Sequence, residues 1–354
     1  MSTMAMKPND TAARMPTPFR IVLIGAGQIG AQAHLPAVLA APGVELAAVV
    51  DPAVDRGQSL ARNYGLNVPV HARVADALIG ADGAIIATPD HTHFEVASEC
   101  IAAGIPVLIE KPMTTTLAEA RQLAELATRC GVTVMVGYVT RFRRSTRLLR
   151  SLVGSGRFGA VRRFSYQYGT NGGWAPLSGY GGKRAQGQGV LAVTGSHFVD
   201  RMIWLWGYPD SMSCHDDGDH GPEANTHVDL RFPGGMEGHI LCSKTAALPG
   251  ALVLDAEAGR VLIKDADAAD IVLRPRSSPE FEFVVREGPN AVHSDDDTFV
   301  AQLLDFVSAC RSGGASGCSL EEGVMSMQLF DDLFRERQPM RTDWYGISNG
   351  ESTP

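Results

Sequence analysis

Short apolar runs alternate with helix-like segments through the first part of the chain. The runs have the length of strands and are apolar on both faces, which is typical of parallel strands covered by helices on two sides. They are Phe19–Gly25, Val44–Asp51, Gly83–Thr88, Pro106–Glu110 and Thr133–Gly137. The segments between them are rich in Ala or Leu. The pattern predicts a doubly wound α/β domain with a parallel sheet.

A helix over residues 117–130 has the clearest boundaries in the sequence. Thr116 and Glu119 fit a capping box, in which each side chain bonds the other's free backbone N–H. Gly131 stands where a left-handed residue would end the helix. Two more helices are predicted late in the chain. One covers about 320–337, and the other opens at Asp295–Asp297, with an inner side formed by Phe299, Val300, Leu303, Leu304 and Val307.

The pattern changes after Arg150. Longer runs with several alternating polar and apolar positions cover 162–169, 225–232, 238–244 and 252–273, and Gly and Pro separate them. Such alternation predicts an antiparallel sheet with one exposed face. We therefore expect a flexible leader at 1–18, the α/β domain at 19–139, a second, sheet-based domain at 140–340, and a tail at 341–354.

The composition indicates a globular protein without a polyanionic partner. Of the 354 residues, 45% are hydrophobic and 20% are charged, which excludes a disordered or fibrous chain. The net charge of −8 gives no attraction to nucleic acid or to an anionic membrane. We expect a cytoplasmic protein, because no apolar run could span a membrane and residues 1–20 lack a secretory signal. The six cysteines include no Cys-x-x-Cys pair, so we expect reduced thiols and no metal site.

A glycine-rich turn follows the first predicted strand. Gly25, Gly27 and Gly30 form a Gly-x-Gly-x-x-Gly pattern, with Gln28 and Ile29 between the last two, and a helix pattern follows. Such glycines let a pyrophosphate approach the backbone, while helix N–H groups face its charge. The alternative is a turn with a purely structural role.

An acid at the end of the second predicted strand favours the dinucleotide interpretation. Asp51 lies 21 positions beyond Gly30, where a carboxylate accepts hydrogen bonds from the adenosine ribose. An acid there repels a 2′-phosphate, so NAD is expected rather than NADP. Arg56 is close enough in sequence to offset that repulsion.

Two polar residues at segment ends are candidates for chemistry. Lys111 follows the fourth predicted strand, and ligands bind at the carboxyl ends of parallel strands. Its ammonium could stabilise an oxygen's negative charge as an alcohol becomes a carbonyl. His197 precedes an apolar helix at 198–206 and could transfer the accompanying proton near neutral pH. Taken singly, a lysine after a strand is more often a solvated charge, and the position of His197 alone favours a histidine satisfied within the structure.

Four motifs in this order make the chain resemble the Gfo/Idh/MocA family of NAD(P)-dependent oxidoreductases over roughly residues 19–340. They are Gly25-Ala26-Gly27-Gln28-Ile29-Gly30, Ala87-Thr88-Pro89 with His93, Glu110-Lys111-Pro112 and Gly195-Ser196-His197-Phe198-Val199-Asp200. The resemblance implies a Rossmann domain followed by an α+β domain with a large, mostly antiparallel sheet. It also implies a sugar-like substrate between the domains, and a homodimer or homotetramer formed through the open face of that sheet.

The resemblance also implies roles for individual residues. Lys111 would contact both the nicotinamide end of the cofactor and the substrate, and His197 would be the proton donor or acceptor. Thr88, Pro89 and His93 would border the nicotinamide, and Glu110 is assigned with them to the cofactor site.

One position departs from the family pattern. Relatives usually carry an aspartate four residues before the histidine, and here Val193 takes that place. Valine neither accepts a proton nor binds a hydroxyl. Either His197 and Lys111 suffice, with a tyrosine such as Tyr138 or Tyr180 assisting, or the substrate lacks the hydroxyl that the aspartate would hold, or redox activity is lost. Arg141 is expected to point into the cleft. Trp174, in a Gly-rich segment, could stack on a sugar or simply pack.

The expected function is NAD-dependent hydride transfer at a secondary alcohol or ketone of a sugar, sugar derivative or polyol. Two alternatives stay open. A glycosidase of the same fold could use NAD for transient oxidation of a sugar. A dinucleotide-binding regulator could have lost catalysis, which Val193 favours and the intact Lys111 and His197 oppose.

Overall fold

The computed structural model describes residues 17–170, 189–218, 222–264, 271–285 and 298–340. Most of the leader, the whole tail, Trp174 and Tyr180 lie outside the described residues, as does the acidic opening Asp295–Asp297. Two apolar cores organise the described chain, each built around one sheet. Among the described helices, none is long and apolar enough to cross a lipid bilayer.

The first sheet has six parallel strands in the order β3-β2-β1-β4-β5-β6. They are β1 Phe19–Ile24, β2 Val44–Val50, β3 Val70–His71, β4 Gly83–Ile86, β5 Val107–Ile109 and β6 Val134–Val136. Five match the predicted apolar runs, and β3 was not predicted, because two half-buried residues leave no pattern to detect. The first three strands extend the sheet to one side of β1, and the next three extend it to the other side, so the strand order switches between β1 and β4. Their carboxyl ends therefore open a crevice of the kind that binds ligands in such sheets.

The helices that connect these strands are α1 Leu35–Ala40, α2 Val54–Asn63, α3 His93–Ala102 and α4 Leu117–Cys130. A π-helical turn, Gly30–His34, leads directly into α1. The boundaries predicted for α4 are confirmed. Thr116 and Glu119 form both bonds of the capping box, and Gly131 adopts a left-handed conformation with φ +63°. The predicted doubly wound α/β domain is therefore present.

The second sheet has nine strands in the order β14-β13-β12-β11-β7-β10-β9-β8-β15. They are β7 Val161–Gly169, β8 Ser211–Asp216, β9 Asn225–Arg231, β10 Glu237–Ser243, β11 Leu248–Ala256, β12 Gly259–Lys264, β13 Ile271–Pro275, β14 Phe283–Val285 and β15 Arg337–Pro339. The pairs β7/β10 and β8/β15 are parallel, and the others are antiparallel. The expected large, mostly antiparallel sheet is thus confirmed.

The prediction of one long run over 252–273 was wrong. That stretch holds parts of three strands, with a tight turn between β11 and β12. Gly259 enters β12 at φ +152°, and a Cβ there would lie 2.1 Å from the carbonyl oxygen of Arg274. This close approach requires glycine, and an apolar pattern alone does not reveal it.

The remaining helices are α5 Arg144–Gly154, α6 Ser196–Trp206, α7 Thr298–Ser312 and α8 Leu320–Arg335. Although α7 falls in the stretch expected to form the second domain, it packs into the first core, where Phe306 meets Phe19 edge to face at 6.3 Å. α8 serves both cores, with Met327 in the first and Leu333 in the second. α8 stops at Arg335, two residues before the predicted end, because Arg337 begins β15.

Candidate active site

The glycine turn after β1 has the shape that a dinucleotide pyrophosphate requires. A Cβ on Gly25 would lie 2.5 Å from the carbonyl oxygen of Ala87, and one on Gly30 would lie 2.2 Å from that of Gly25. Both positions therefore exclude other residues. A Cβ on Gly27 would meet no atom within 4 Å, so the turn faces open space there. Gln28 and Ile29 are exposed at the start of the helix. The turn fits a bound pyrophosphate.

Asp51 follows β2 and is almost fully buried, with its carboxylate surrounded by N–H donors. Oδ2 accepts from the backbone N–H of Ala26 (3.0 Å) and from Arg56 Nε (2.8 Å), while Oδ1 accepts from Ala53 (2.9 Å) and Arg56 Nη2 (2.6 Å). Burial raises the pKa of Asp51, but these bonds outweigh it and hold the pKa below its ordinary value. A ribose hydroxyl that reaches Asp51 must share the carboxylate with Arg56.

The loop after β4 is tied to the loop after β5 by His93. The buried imidazole places Nε2 2.9 Å from the carbonyl oxygen of Thr88 and Nδ1 2.8 Å from that of Pro112. The Thr88 hydroxyl accepts from that of Thr92 at 2.8 Å, and Pro89 immediately precedes a short 3₁₀ turn. His93 therefore joins two loops at the edge of the crevice, with both ring nitrogens engaged by backbone.

Glu110 and Lys111 follow β5 at the same edge. Glu110 Oε1 lies 2.8 Å from Nε2 of buried His34, and Oε2 accepts the backbone N–H of Lys111 at 3.1 Å. Burial raises the pKa of Glu110, but His34 and Lys111 outweigh it, so the pKa is lowered and the carboxylate stays charged. Burial lowers the pKa of Lys111, against the opposing charges of Glu110 and Asp90. The Lys111–Pro112 peptide is cis.

The lysine reaches across to the second domain. Lys111 Nζ donates to the backbone carbonyl of Val193 at 2.9 Å, while the Val193 side chain is 46% exposed. Val193 lies in a π-helical turn, Leu191–Gly195, that leads into α6, and His197 is in the first turn of α6. One hydrogen bond thus places the ammonium beside the backbone that carries the histidine.

His197 is held as a neutral imidazole. Its pKa is well below the ordinary value because of burial first, and then because of the positive charges of Lys111, Arg201 and Arg143. Nδ1 is buried without a hydrogen-bond partner in the described chain. Tyr138 packs against the ring edge to face at 6.3 Å and is itself buried, so the ordering of His197 is its visible role here. A neutral imidazole can accept a proton from an alcohol.

A cavity of about 490 Å³ opens beside His197, between the end of the first sheet and the second sheet. Its walls come from the turn after β6, from β7, from α6 and from the start of β11. The polar side chains that line it are those of Thr140, Arg143, Tyr166, Tyr168, Thr194, His197 and Arg201. Of these, the sequence pattern singled out His197. Arg143, Thr194 and Arg201 belong to different elements, and no spacing rule brings them together.

Arg141 does not line this cavity, contrary to expectation. Its guanidinium is buried and donates to Asp200 through Nε (2.8 Å) and Nη2 (2.5 Å), and through Nη1 to Glu322 (2.5 Å) and the carbonyl of Gly317 (3.0 Å). The residue is therefore a structural link between the end of the first sheet, α6 and α8.

A second polar cluster lies on the open face of the second sheet, on β9 and β10. Asp229 Oδ1 is 3.1 Å from His227 Nε2 and 2.6 Å from His239 Nδ1, and the three ligand atoms lie within 4.8 Å of one another. These residue types could hold a divalent cation. None of the three belongs to the described lining of the cavity.

The fold and site define a two-domain oxidoreductase that uses a pyridine dinucleotide. Residues 19–138 match the family model described as "Oxidoreductase family, NAD-binding Rossmann fold", and residues 146–261 match "GFO/IDH/MocA C-terminal domain". The chain belongs to the Gfo/Idh/MocA family of NAD(P)-dependent oxidoreductases, and the recognition made from its motifs is confirmed.

Among curated proteins, the chain is similar to the rhizopine catabolism protein MocA of Rhizobium meliloti, with 29% identity over 88% of this chain and 93% of that protein. It is also similar to D-glucoside 3-dehydrogenase of Escherichia coli, with 29% identity over 58% of this chain and 59% of that protein.

Solved structures that share the fold include two with a bound pyridine dinucleotide. One is an oxidoreductase from Agrobacterium radiobacter in complex with NAD+, L-tartaric acid and magnesium (16% identity, TM-score 0.75, 90% of this chain and 96% of that one). The other is KijD10, a 3-ketoreductase from Actinomadura kijaniata, in complex with TDP-benzene and NADP (19% identity, TM-score 0.77, 92% and 99%). Both forms of the dinucleotide thus occur on this fold.

Proposed function

We propose that this protein is an NAD-dependent dehydrogenase that acts on a secondary alcohol, or in reverse on the ketone, of a sugar, sugar derivative or polyol. The observation that carries the proposal is the contact of Lys111 Nζ with the turn that leads to His197. It brings a cation to the turn that precedes His197, whose neutral imidazole lines the cavity. Similar proteins named for a sugar or polyol substrate, such as D-glucoside 3-dehydrogenase, support a sugar or polyol as the substrate.

The residues present divide the work of alcohol oxidation. When bound, NAD supplies a nicotinamide carbon that takes the hydride from the carbinol carbon. His197 takes the hydroxyl proton, since its lowered pKa keeps it unprotonated. Lys111 stabilises the negative charge that grows on the oxygen as the O–H bond breaks, and the product is a carbonyl. In the reduction direction, His197 returns the proton.

The backbone carbonyl of Val193 takes the place of the missing aspartate side chain as a partner of Lys111. Lys111 Nζ is held by the carbonyl oxygen of Val193, at the position where relatives usually carry the acid. A carbonyl orients the ammonium without adding a full negative charge, so Lys111 keeps its cationic influence on the cavity. This arrangement supports an active enzyme over the regulator. The relatives named as dehydrogenases support net hydride transfer over the glycosidase.

For the cofactor we propose NAD over NADP, with Arg56 as the moderating residue. Asp51 presents a charged carboxylate, and Arg56 covers it with a half-exposed guanidinium. Asp51→Ser should raise the affinity for NADP relative to NAD, because the repelling charge disappears while Arg56 stays. Calorimetric titration of both dinucleotides checks this. An unchanged ratio of the two dissociation constants would remove Asp51 from cofactor selection.

For assembly we propose a homodimer or homotetramer formed through the open face of the second sheet. Apolar side chains continue in register across that face, from Val253 to Leu262, Val272 and Val284. Val284 is 53% exposed. Such a stripe suits burial against a second copy. Light scattering of the wild type and of Leu262→Glu tests this, and a monomeric wild type would contradict it.

The activity is tested by following NADH formation with a panel of sugars, sugar derivatives and polyols. Lys111→Met is the matched variant, because it keeps the length of the side chain and removes the charge. We expect kcat to fall roughly a hundredfold or more with the best substrate, while NAD still binds. Equal kcat values in Lys111→Met and the wild type would overturn the assignment. An NAD-binding protein that turns over no compound would instead be the regulator.

A further inference from the structure

In the described part of its wall, the cavity beside His197 has cationic side chains and no anionic ones. Arg143 lines it from the residue just before α5, and Arg201 lines it from α6. Among the described residues of its wall there is no aspartate or glutamate. Lys111 adds a third cation at the edge, where Nζ bonds the carbonyl of Val193, next to Thr194 of the wall. A neutral sugar would bring no opposite charge to these cations.

Neighbouring Arg141 lies outside the described wall of the cavity and differs from Arg143 in its partners. Buried Arg141 pairs with two carboxylates, those of buried Asp200 and partly exposed Glu322. Arg143 lies two positions after Arg141 and is half-buried, and it forms no ion pair with any carboxylate of the described chain. Partly buried cations are stabilised by an opposite charge, and a guanidinium offers two parallel N–H donors that match a carboxylate or a phosphoryl group.

The state of His197 agrees with the cationic character of this wall. Its pKa is depressed by burial and then by Lys111, Arg201 and Arg143, so the field of all three cations reaches the imidazole. An anion bound among them would relieve part of that depression. The pKa of His197 should therefore be higher in the substrate complex than in the free enzyme.

We propose that the substrate is a sugar or polyol that bears an anionic group, a carboxylate or a phosphoryl ester, which Arg143 and Arg201 bind. His197 and Arg201 are four residues apart on α6, so they stand one turn apart on the same helix face. The reacting hydroxyl lies at His197 and the anion about one turn away, a separation that a single sugar unit spans. The inference rests on the proposed dehydrogenase activity and narrows its substrate class.

Matched pairs of substrates provide the first test. Glucose is compared with gluconate, glucuronate and glucose 6-phosphate, and galactose with galacturonate, each with saturating NAD. We expect higher kcat/KM for the anionic member of a pair, and the carboxylate and phosphate arms show which anion the site takes. Equal or higher kcat/KM for the neutral members would overturn the proposal while leaving the dehydrogenase assignment intact.

Variants of Arg143 provide the second test. Arg143→Met should raise KM for the anionic substrate roughly ten- to a hundredfold, the range of a hydrogen bond to a charged group, and Arg143→Lys should restore part of the loss. Arg150→Met is the matched control, because Arg150 is exposed on α5 and stacks on Trp204 at 3.9 Å. Equal losses with neutral and anionic substrates, or in the control, would show a merely structural role.

Two further readouts separate the failure of this inference from that of the proposed function. With an anionic substrate, the acidic limb of the kcat profile should lie at higher pH than that of kcat/KM, and the difference should disappear in Arg143→Met. If no compound is turned over, calorimetric titration with gluconate and glucose 6-phosphate still measures binding. Binding lost in Arg143→Met and kept in Arg150→Met supports the anion site, and no binding to the wild type refutes it.

Discussion

The buried ion pair of Arg141 and Asp200 gives a quantitative prediction about stability. Asp200→Ala removes the partner of two guanidinium N–H groups in a region with almost no exposure to solvent. Removing one partner from a buried pair typically costs about 3–5 kcal/mol. Glu322 and the carbonyl of Gly317 still bind Nη1, and Glu322 is partly exposed, so we expect the lower end, about 3 kcal/mol.

Thermal unfolding followed by circular dichroism measures this cost. At roughly 2–4 °C per kcal/mol for a domain of this size, Tm should fall by about 6–12 °C in Asp200→Ala. Asp200→Asn keeps the shape and one acceptor and should lose less. The double variant Arg141→Met/Asp200→Leu removes both charges and should recover much of the loss. A fall of less than about 2 °C in Asp200→Ala, or a double variant no more stable than the single, would refute the reasoning.

Three other outcomes are expected. In the wild type, the acidic limb of the kcat/KM profile for oxidation should lie below the ordinary histidine pKa of 6.5, because a base with a lowered pKa stays unprotonated to lower pH. In His197→Asn this limb should vanish. A wild-type limb at or above pH 6.5 would contradict the argument that burial lowers the pKa of His197. Gly30→Ala should abolish NAD binding in calorimetry, because its Cβ would meet the carbonyl of Gly25 at 2.2 Å, whereas Gly154→Ala, with no atom within 4 Å, should bind normally. In Glu110→Gln the free energy of unfolding at neutral pH should fall, because the folded state no longer holds a carboxylate of lowered pKa. For the same reason, the stability of the variant should depend less on pH below 4.5. An acid transition identical to that of the wild type would contradict this.

The sequence predicted what depends on local patterns. The parallel strands, the capping box at Thr116 and the glycine turn each follow from residue spacing within one element. Lys111 was found because a strand end has a known relation to ligands in open sheets, and His197 because of its place before an apolar helix. These signals, together with their order along the chain, were enough to identify the family.

Contacts between distant elements could not be predicted in the same way. Arg141 and Arg143 are two residues apart and chemically identical, yet one is neutralised inside the protein and the other faces the cavity. The difference arises because Asp200 and Glu322, on helices far along the chain, form ion pairs with Arg141. The hydrogen bond between Lys111 and the Val193 carbonyl could not be predicted either, because sequence patterns describe side chains and this contact uses the backbone.

The place of α7 in the first core has a consequence for biosynthesis. Phe306, Leu303 and Val307 complete the apolar packing around Phe19, so the cofactor half of the molecule needs residues that follow most strands of the second sheet. On the ribosome, residues 19–139 emerge before α7 and expose this apolar surface until α7 has been made. A fragment that stops at residue 139 should therefore be aggregation-prone, and adding α7 as a separate peptide should rescue its solubility.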